Sequence, residues 1–524
     1  MRLIGTISGE VKPTEFNILL STPDIEKGSF VKVNHESYGW VLARVDSMKR
    51  YLNTNNEEVL LARAYTVGYK HENQVLIPKT PFKTEEKVYS ADNILIRGVT
   101  GLKKDRIGSI YLGLLEGHND IPVYLDVKKS IGKHMSILAK TGAGKSYTVA
   151  VILEELLKAS VPCVIIDPHG EYSSLKYEND DFDAMMKFGV KPRSYAKDIT
   201  EYAANVVANP DAERFTLKPR FTLDELIDIM PMKLNDNQKS ILYDVMHRLE
   251  NVDYTLQDII NAVRLEENKT KWKVISGLET LRNSGIFEGK PVSLNKLVKK
   301  SHASIVNLKG VEPRIQELII TKLVKDLFNA AKLGEVQPFF FLVEESHNFC
   351  PERGFGDAMS SQILRTVASE GRKFGFSLGV VSQRPARIDK NVLSQCNTQI
   401  ILKVTNPNDL RAIGQSIEGF TPGMEADIQQ LSVGQALVVG ECVEQPITVN
   451  VRARESKHYG AASSQPAEEK KETKEKKNIV DRIKPVFVKD DDEEKHAAPP
   501  QPAKEKKKSH LSRLKSLFLK DKGE

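Results

Sequence analysis

A glycine-rich loop is the clearest chemical signal in the sequence. Residues 139–146 read AKTGAGKS and match the phosphate-loop pattern G-x-x-x-x-G-K-[ST], except that Ala139 replaces the first glycine. Gly142 and Gly144 allow the backbone to curl so that successive N–H groups face phosphate oxygens. The pattern therefore predicts a nucleotide site, provided that the first position does not require a positive φ.

Two side chains at the end of this loop have direct roles in phosphate chemistry. Lys145 can reach the β- and γ-phosphates, and Ser146 can place its hydroxyl on Mg²⁺. The following helix would add its N-terminal dipole to the site. The residues expected to bind ATP are Lys140, Thr141, Gly142, Ala143, Gly144, Lys145, Ser146 and Tyr147.

A pair of carboxylates follows an apolar strand later in the chain. The segment FFFLVEE ends in Glu344 and Glu345, and the carboxyl ends of parallel strands line the ligand crevice of such sheets. Because side chains alternate along a strand, we expect the two acids to point in different directions. We assign Glu344 to the Mg²⁺ shell, mostly through water, and Glu345 to polarising the attacking water.

Further polar residues follow other apolar strands. Gln383, after the segment GVVS, is a candidate sensor of the γ-phosphate, although it could be an ordinary strand end. Asp167, His169 and Glu171 lie in DPHGEY after another strand. This cluster fits a structural role and a site role equally well.

Two arginines could stabilise the charge that develops on the γ-phosphoryl group during hydrolysis. Arg365 and Arg372 lie in LRTVASEGRKFG, between the carboxylate strand and the Gln383 strand. A ring ATPase would use one such arginine across a subunit boundary, and we assign a catalytic role to Arg372 in preference to Arg365. The alternative for each is an ordinary arginine on the surface of a helix.

The segments that must position these residues form an α/β domain. HMSILA reads as a buried strand, SYTVAVILEELLKA as a helix and VPCVIID as a second strand, which together predict a βαβ unit and a parallel sheet. Later apolar segments are expected to complete that sheet because helices would cover both of its faces. These segments are ASIVNL, PFFFLVEE, FSLGVVSQ, TQIILKV and QALVVG.

The remaining parts of the chain have different sequence patterns. Residues 1–110 read as short strands, including IGTISGEV, EFNILLS and NILIRGV, and predict a small β-barrel. The α/β domain covers 111–195 and 301–454, with a helical insertion at 196–300 whose helices begin near Thr222 and Thr255.

Residues 455–524 are low in complexity and contain runs such as DDDEE and KEKKK, which predict a disordered, charged tail. Its last segment, SHLSRLKSLFLK, has Leu511, Leu514, Leu517 and Phe518 near helical spacing on a basic background. It is either a solvated end or a short docking helix for a partner or an acidic surface.

The composition excludes several classes of protein. The 524 residues are 40% hydrophobic and 28% charged, which rules out a wholly disordered chain, and the net charge of +6 permits a nucleic-acid partner without requiring one. No run approaches the ~18 apolar residues of a membrane span, and Glu10 interrupts any secretion signal. Four widely spaced cysteines without a CxxC pair indicate a reducing, cytoplasmic setting.

These motifs together resemble the HerA branch of the HerA–FtsK superfamily. Six segments match that family in local sequence and in order, and the match extends over roughly residues 1–455. The segments are AKTGAGKS, IIDPHGEY, FLVEESHNF, EGRKFG, VVSQRP and LSQCNTQIILKV. The resemblance implies a RecA-like motor domain, an N-terminal HAS-barrel, a homo-hexameric ring and ATP-driven movement on double-stranded DNA. It also implies a NurA-type nuclease partner in DNA-end resection and recombination repair.

The resemblance also implies roles for individual residues. Lys145, Glu345 and Arg372 match the positions that act in ATP hydrolysis in the family, and Lys133 before His134 matches a basic–histidine pair upstream of the phosphate loop. Arg353, in the glycine-containing segment after the two acids, is a candidate for the DNA channel.

The residues themselves predict a Mg²⁺-dependent ATPase with a parallel sheet, and the step to DNA comes from the resemblance. Two alternatives to a translocase or helicase stay open. One is a DNA-pumping or conjugation-type ATPase of the same superfamily, and the other is a nucleotide-gated clamp or scaffold that binds DNA without moving along it.

Overall fold

The computed structural model describes residues 2–52, 56, 58–72, 74–103, 105–250 and 252–458. The predicted charged tail lies almost wholly beyond these residues, as does its basic terminal segment. Within the described residues, no helix combines the length and the apolar character needed to cross a membrane.

Six strands near the N-terminus close into a barrel. The strand order is β2-β1-β7-β3-β4-β5, and β2 also pairs with β5, so that the sheet returns to its starting strand. Inward-facing apolar side chains fill the interior, as the alternation in the sequence predicts. The strands of this region are β1 (Leu3–Val11), β2 (Glu15–Leu20), β3 (Phe30–His35), β4 (Gly39–Leu52), β5 (Glu58–His71), β6 (Gln74–Leu76) and β7 (Lys87–Ser90).

One segment that we predicted as a strand of this region is a helix. NILIRGV forms part of α1 (Asn93–Thr100). The Asp92 side chain caps the first turn, and Gly101 ends the helix in the left-handed conformation at φ 76°. Ile96 and Val99 are buried three residues apart, whereas Ile94 is exposed, and this helical spacing outweighs the β-propensity of the residues.

The second domain contains a sheet of twelve strands. Their order is β13-β12-β14-β11-β15-β16-β10-β17-β18-β19-β8-β9. The strands are β8 (Ser109–Leu115), β9 (His118–Asp126), β10 (Met135–Leu138), β11 (Cys163–Asp167), β12 (Ile199–Ala203), β13 (Glu213–Arg214), β14 (Ala303–Asn307), β15 (Phe339–Val343), β16 (Phe376–Ser382), β17 (Thr398–Ile401), β18 (Gln435–Gly440) and β19 (Ile447–Val451).

The pairing from β13 to β17 is parallel throughout, which confirms the predicted parallel core. QALVVG, which we predicted as a parallel strand, is β18 and pairs antiparallel with β17, and β19, β8 and β9 continue antiparallel. The apolar composition did not reveal this direction, because a strand buried on both faces has the same composition in either orientation.

Helices cover the sheet and form the insertion. The capping boxes at Thr222 and Thr255 confirm two predicted helix starts. The predicted insertion range also contains β12, which is a strand of the main sheet; the domain boundaries stay predictions. The remaining helices are α2 (Val127–Ile131), α3 (Lys145–Lys158), α4 (Phe182–Phe188), α5 (Leu223–Ile229), α6 (Asp236–Leu249), α7 (Leu256–Leu265), α8 (Lys271–Asn283), α9 (Leu294–Leu297), α10 (Pro313–Lys332), α11 (Ser361–Glu370), α12 (Lys390–Ser394), α13 (Pro407–Ser416) and α14 (Pro422–Gln430).

Because β10, β11, β14, β15 and β16 run in one direction, the parallel sheet has two chemically different edges. We call the edge where these strands finish the C-terminal edge and the edge where they begin the N-terminal edge. The phosphate loop leaves β10 at the C-terminal edge, where ligands of open parallel sheets bind.

Candidate nucleotide-binding site

The phosphate loop connects the end of β10 to the first turn of α3. Gly142 and Gly144 have φ values of 78° and 96°, which a residue with a Cβ adopts only with strain. Ala139 is buried and is not among the residues with positive φ. The replacement of glycine at that first position therefore leaves the loop geometry intact, which was the condition for predicting a nucleotide site from the sequence.

Both carboxylates at the end of β15 contact the ammonium of Lys145. Glu344 Oε1 accepts a hydrogen bond from Lys145 Nζ, and Glu345 Oε1 lies 3.0 Å from the same nitrogen. The prediction that the two acids point in different directions is wrong. The strand ends at Val343 and Glu345 adopts φ 49°, a left-handed conformation, so the alternation of a strand no longer applies. Such backbone strain in a residue with a side chain is typical of functional sites.

Tyr172 contacts the second carboxylate oxygen of Glu344, and the sequence analysis did not identify this tyrosine as a site residue. Its hydroxyl donates a hydrogen bond to Glu344 Oε2 at 2.7 Å. Protein groups therefore engage both oxygens of this buried carboxylate. The sequence held a usable signal, because Tyr172 ends the DPHGEY segment and the strand before that segment, β11, adjoins β15 in the sheet.

Gln383 connects Glu345 to the phosphate loop. Its Nε2 donates to Glu345 Oε1 at 2.6 Å, and its Oε1 accepts a hydrogen bond from the Thr141 hydroxyl. The structure thus brings Gln383, Glu345 and Lys145 together, although they are far apart in the chain. The other carboxylate oxygen, Glu345 Oε2, is buried and accepts no hydrogen bond from the described residues, and His347 Nδ1 lies 3.3 Å from it.

Glu345 stays ionised in this setting. Burial by itself would raise its pKa, but the Lys145 ammonium acts in the opposite direction through charge and a hydrogen bond, and His347 and Gln383 add to the effect. The net result is a pKa below the usual range of a glutamate. A carboxylate that is ionised and has one free oxygen can accept a proton from a water molecule.

A cavity of about 640 Å³ opens beside the phosphate loop. Its walls include Lys145, Ser146, Tyr147, Glu171, Phe188 and Arg454. Volumes of about 300–1,000 Å³ are usual for ligand pockets, and the mixture of a cationic loop and apolar walls suits a nucleotide. Seven of the eight predicted phosphate-binding residues line this cavity: Lys140, Thr141, Gly142, Gly144, Lys145, Ser146 and Tyr147. The eighth, Ala143, is buried and is not part of the cavity wall.

The donor set at this cavity fits a magnesium ion that is held mainly by phosphate oxygens and water. No group of three or more histidine, cysteine, aspartate or glutamate side chains within the described residues could hold a metal ion by itself. Ser146 offers a hydroxyl in the cavity. Glu344 is already engaged by Lys145 and Tyr172, which favours contact with an ion through water.

The DPHGEY cluster divides into structural and cavity-facing parts. The Asp167 carboxylate accepts hydrogen bonds from the backbone N–H groups of His169, Gly170 and Tyr172, and so it holds the turn after β11. Complete burial raises the pKa of Asp167 to about 6, although these hydrogen bonds act against the rise. Glu171 lines the cavity, whereas the His169 side chain is exposed.

The two candidate arginines lie in different settings. Arg365 Nε is 2.7 Å from the buried carboxylate of Asp389, so its charge is already paired. Arg372 is exposed, makes no ion pair within the described part of the chain, and lines a separate groove at the N-terminal edge. The structure therefore does not bring Arg372 to the nucleotide cavity of its own chain.

The residues upstream of the phosphate loop also lie toward the N-terminal edge. Lys133 pairs with Glu441. His134 is buried at φ 63°, and its Nδ1 accepts a hydrogen bond from Leu378 N at 2.8 Å. Burial lowers the pKa of His134 to about 4, so this ring is neutral near pH 7.

A segment after β19 contributes to the cavity, and sequence reasoning did not identify it. Arg452 is fully buried and lies 2.9 Å from Glu154 and 2.8 Å from Glu155, both on α3. Arg454 follows, donates to Ser174 and lines the cavity. These ion pairs connect the segment to the helix that begins at Lys145, and removing one member of such a buried pair leaves an uncompensated charge.

Comparisons with known proteins agree with these observations. Residues 110–327 match the family model described as the central domain of helicase HerA. The chain is 25% identical to the DNA double-strand break repair helicase HerA of Pyrococcus furiosus, over 86% of this chain and 92% of that protein. It is 26% identical to a probable helicase of Methanocaldococcus jannaschii, over 87% of this chain and 92% of that protein.

A third relative is the HerA helicase of Saccharolobus solfataricus, which is 26% identical over 68% of this chain and 70% of that protein. Among solved structures, VirB4 of Thermoanaerobacter pseudethanolicus superposes with a TM-score of 0.48 and 17% identity, covering 66% of this chain and 96% of that one. The family match and the relatives that span most of its length show that the chain is similar to HerA-type helicases.

Proposed function

We propose that the protein is a Mg²⁺-dependent ATPase that moves along double-stranded DNA. The observation that carries the proposal is the convergence of Lys145, Glu345 and Gln383 on one edge of the sheet, beside a cavity of nucleotide size. A lysine for phosphate, an ionised carboxylate for water and an amide between them are the parts that phosphoryl transfer to water requires.

The contacts suggest how nucleotide binding could activate the site. In the structure, Lys145 is shared between Glu344 and Glu345. The β- and γ-phosphates of ATP would compete for this ammonium, and the Glu345 carboxylate, no longer held by Lys145, would then be able to accept a proton from a water molecule. Mg²⁺, held by Ser146 and by Glu344 through water, would supply charge stabilisation on the phosphate oxygens.

Gln383 is placed to relay the state of the nucleotide. It contacts the phosphate-loop residue Thr141 with one amide atom and Glu345 with the other. Loss of the γ-phosphate would change both partners, and β16, which ends at Ser382, would transmit the change into the sheet. Arg372 would act on the nucleotide of a neighbouring subunit, because the nucleotide cavity of its own chain lies at the opposite edge of the sheet.

The DNA part of the proposal is supported by the relatives, which are named as helicases, two of them for double-strand break repair. Arg353 is exposed between Gly354 and Glu352 in the loop after the two acids, and it is our candidate for a phosphate contact. We further propose a homo-hexameric ring and a NurA-type nuclease partner in DNA-end resection and recombination repair. The rival function is a clamp that binds ATP and DNA but does not move; the ionised Glu345 favours turnover.

The experiment is steady-state ATP hydrolysis with and without linear duplex DNA. We expect stimulation by duplex DNA, and we expect Lys145→Ala to abolish turnover because the phosphates lose their main cation. Displacement of a triplex-forming strand from the same duplex then separates movement from clamping. Hydrolysis that Lys145→Ala leaves unchanged would contradict the assigned site, and hydrolysis without strand displacement would favour the clamp.

A further inference from the structure

An exposed tryptophan lies among lysines on the helical insertion. Trp272 is 64% exposed in the first turn of α8, and the chain around it, residues 269–273, reads KTKWK. Lys269 and Lys273 are exposed on either side of it, and neither forms an ion pair with another residue that the structure describes. We call the surface formed by Lys269, Lys271, Trp272 and Lys273 the insertion patch.

The position of Trp272 is the opposite of what the apolar pattern of its helix requires. Val274, Ile275 and Leu278 are buried and belong to the apolar face of α8. Trp272 lies on the other, polar face, as Lys273 does, so its indole does not contribute to the core of the insertion. An indole is a large apolar group, and leaving it in water forgoes the stabilisation that burial would give. The packing of the described chain therefore does not explain a tryptophan at this position.

The lysines do not stabilise the helix either. Lys271 and Lys273 lie in the first turn of α8, which contains no acidic residue, and positive charge there opposes the helix dipole. The Lys271 ammonium donates hydrogen bonds to backbone carbonyls at the end of α7. Of the two acids that precede the patch, Glu266 is paired with Arg248 and Glu267 is exposed. The patch is therefore positively charged, and its outer lysines are available to an anion.

Short-range hydrogen bonds fix the turn that presents the patch. Asn268 Oδ1 accepts hydrogen bonds from the backbone N–H of Thr270 at 3.0 Å and from its hydroxyl at 2.9 Å. The Asn268 carbonyl accepts a third from the backbone N–H of Lys271 at 3.1 Å. Lys271 Nζ also lies 5.7 Å from the centroid of the Trp272 ring. Because these contacts hold the turn in place, the patch needs little ordering when a ligand binds.

We propose that the insertion patch binds an unpaired DNA strand, with a base stacked on Trp272 and phosphates on Lys269 and Lys273. Exposed aromatic rings within a positively charged surface are the usual means of binding single strands. The indole favours a single strand over a duplex, because neighbouring base pairs cover both faces of a base inside a duplex. An acidic protein segment would pair with the lysines but would offer the indole no flat partner.

This inference rests on the proposed function only for the presence of DNA. A chain that moves along a duplex meets unpaired bases at frayed ends and wherever the strands separate. The insertion patch would hold such a strand outside the nucleotide cavity, because none of its four residues lines that cavity.

The experiment uses the indole itself as the reporter. The chain has two tryptophans, so Trp40→Phe leaves Trp272 as the only one. We expect a short oligothymidylate to quench the fluorescence of this variant, because a base stacked on an indole quenches its emission. Relaxed, covalently closed circular duplex DNA and polyglutamate should quench it far less. In the parent chain, an oligonucleotide that carries 5-iodouracil should crosslink to Trp272 under ultraviolet light, as mapped by mass spectrometry of the peptides.

Substitution of the outer lysines tests the phosphate contacts. In the Trp40→Phe chain, Lys269→Ala/Lys273→Ala should weaken binding of the oligothymidylate. It should also reduce the slope of log affinity against log salt by about 1.4, since each phosphate contact to a single strand contributes about 0.7. The control is Lys239→Ala, at another exposed lysine of the insertion, which should change neither quantity. Circular dichroism checks that each variant is folded.

Three results would each overturn the assignment of the patch. They are an oligothymidylate that neither quenches nor crosslinks to Trp272, closed duplex or polyglutamate that quenches as strongly, and a salt slope that the lysine variant leaves unchanged. Binding is measured without nucleotide, so this test is separate from that of the proposed function. A chain that binds the strand at Trp272 but does not hydrolyse ATP contradicts the proposed function alone. DNA-stimulated hydrolysis without quenching contradicts the patch alone.

Discussion

The two edges of the parallel sheet use their charges in opposite ways. At the C-terminal edge, the buried Lys145 ammonium is paired with two buried carboxylates, Glu344 and Glu345. At the N-terminal edge, Lys300 and Arg372 are exposed and have no ion-pair partner in the described chain. The lysine of the first edge is paired within a single chain, and we call this the complete edge; the two cations of the second are not, and we call it the incomplete edge.

The contrast follows from the cost of burying charge. An isolated buried ion loses its hydration, so Lys145 can lie beneath the sheet edge only with carboxylates around it. An exposed arginine keeps its hydration and can remain unpaired until another molecule supplies a partner. A nucleotide would rearrange charges at the first edge, whereas a second copy of the chain would satisfy them at the other.

The largest expected effect concerns the incomplete edge. Arg372→Ala should reduce DNA-stimulated hydrolysis by about 10³–10⁵-fold, the range for a trans-acting arginine in GTPases, because transition-state charge loses a cation. Lys373→Ala, an exposed cation at the next position, should have little effect.

Mixing decides whether Arg372 acts between chains. Arg372→Ala and Lys145→Ala chains, each inactive, should regain part of the activity when assembled together, since some junctions then combine an intact loop with an intact arginine. If the mixture stays inactive, Arg372 does not act in trans and the distinction between the edges fails.

The next effect concerns the complete edge. Glu345→Gln should retain nucleotide binding but lower hydrolysis by about 10²–10⁴-fold, because an amide cannot accept the proton of the attacking water. Single-turnover hydrolysis, with binding of a fluorescent ATP analogue measured alongside, checks this. Glu335→Gln, an exposed glutamate before β15, is the control; normal hydrolysis in Glu345→Gln would remove the assignment.

The smallest effect concerns Tyr172, which supports Glu344 from behind. Tyr172→Phe keeps the ring but removes the 2.7 Å hydrogen bond, so we expect unfolding free energy to fall by about 1–3 kcal/mol. We also expect the Mg²⁺ concentration for half-maximal hydrolysis to rise several-fold, with the maximal rate nearly kept. Tyr243→Phe, at an exposed tyrosine, serves as the reference. An unchanged Mg²⁺ dependence would show that Glu344 does not act on the ion.

Local sequence was enough to predict the phosphate loop, the strand before it and the helix after it. The glycine spacing determines the two positive φ values of the loop, and apolar runs mark β10, β11, β15 and β16. The predicted barrel is also confirmed. Apolar and polar residues alternate along its short strands, and this local pattern indicates strands that bury one face. These features depend on residues that are near one another in the chain.

The strand pattern failed where helix caps or contacts with distant segments decide the conformation. Residues 93–100 have β-favouring side chains, but the Asp92 and Gly101 caps and the burial of one helical face decide for a helix. The left-handed turn at Glu345 brings both acids onto Lys145, which lies 200 positions away in the chain, and the local strand pattern does not contain that contact.

The sequence by itself therefore determined which chemistry the protein carries, because loop conformation and strand burial are set by neighbouring residues. Only the tertiary structure decided which of the functional residues come together in one site. It placed Gln383 between Thr141 and Glu345, and it placed Arg372 at the far edge of the sheet. The physical reason is that the direction and order of strands fix these distances, and both depend on how the whole sheet packs.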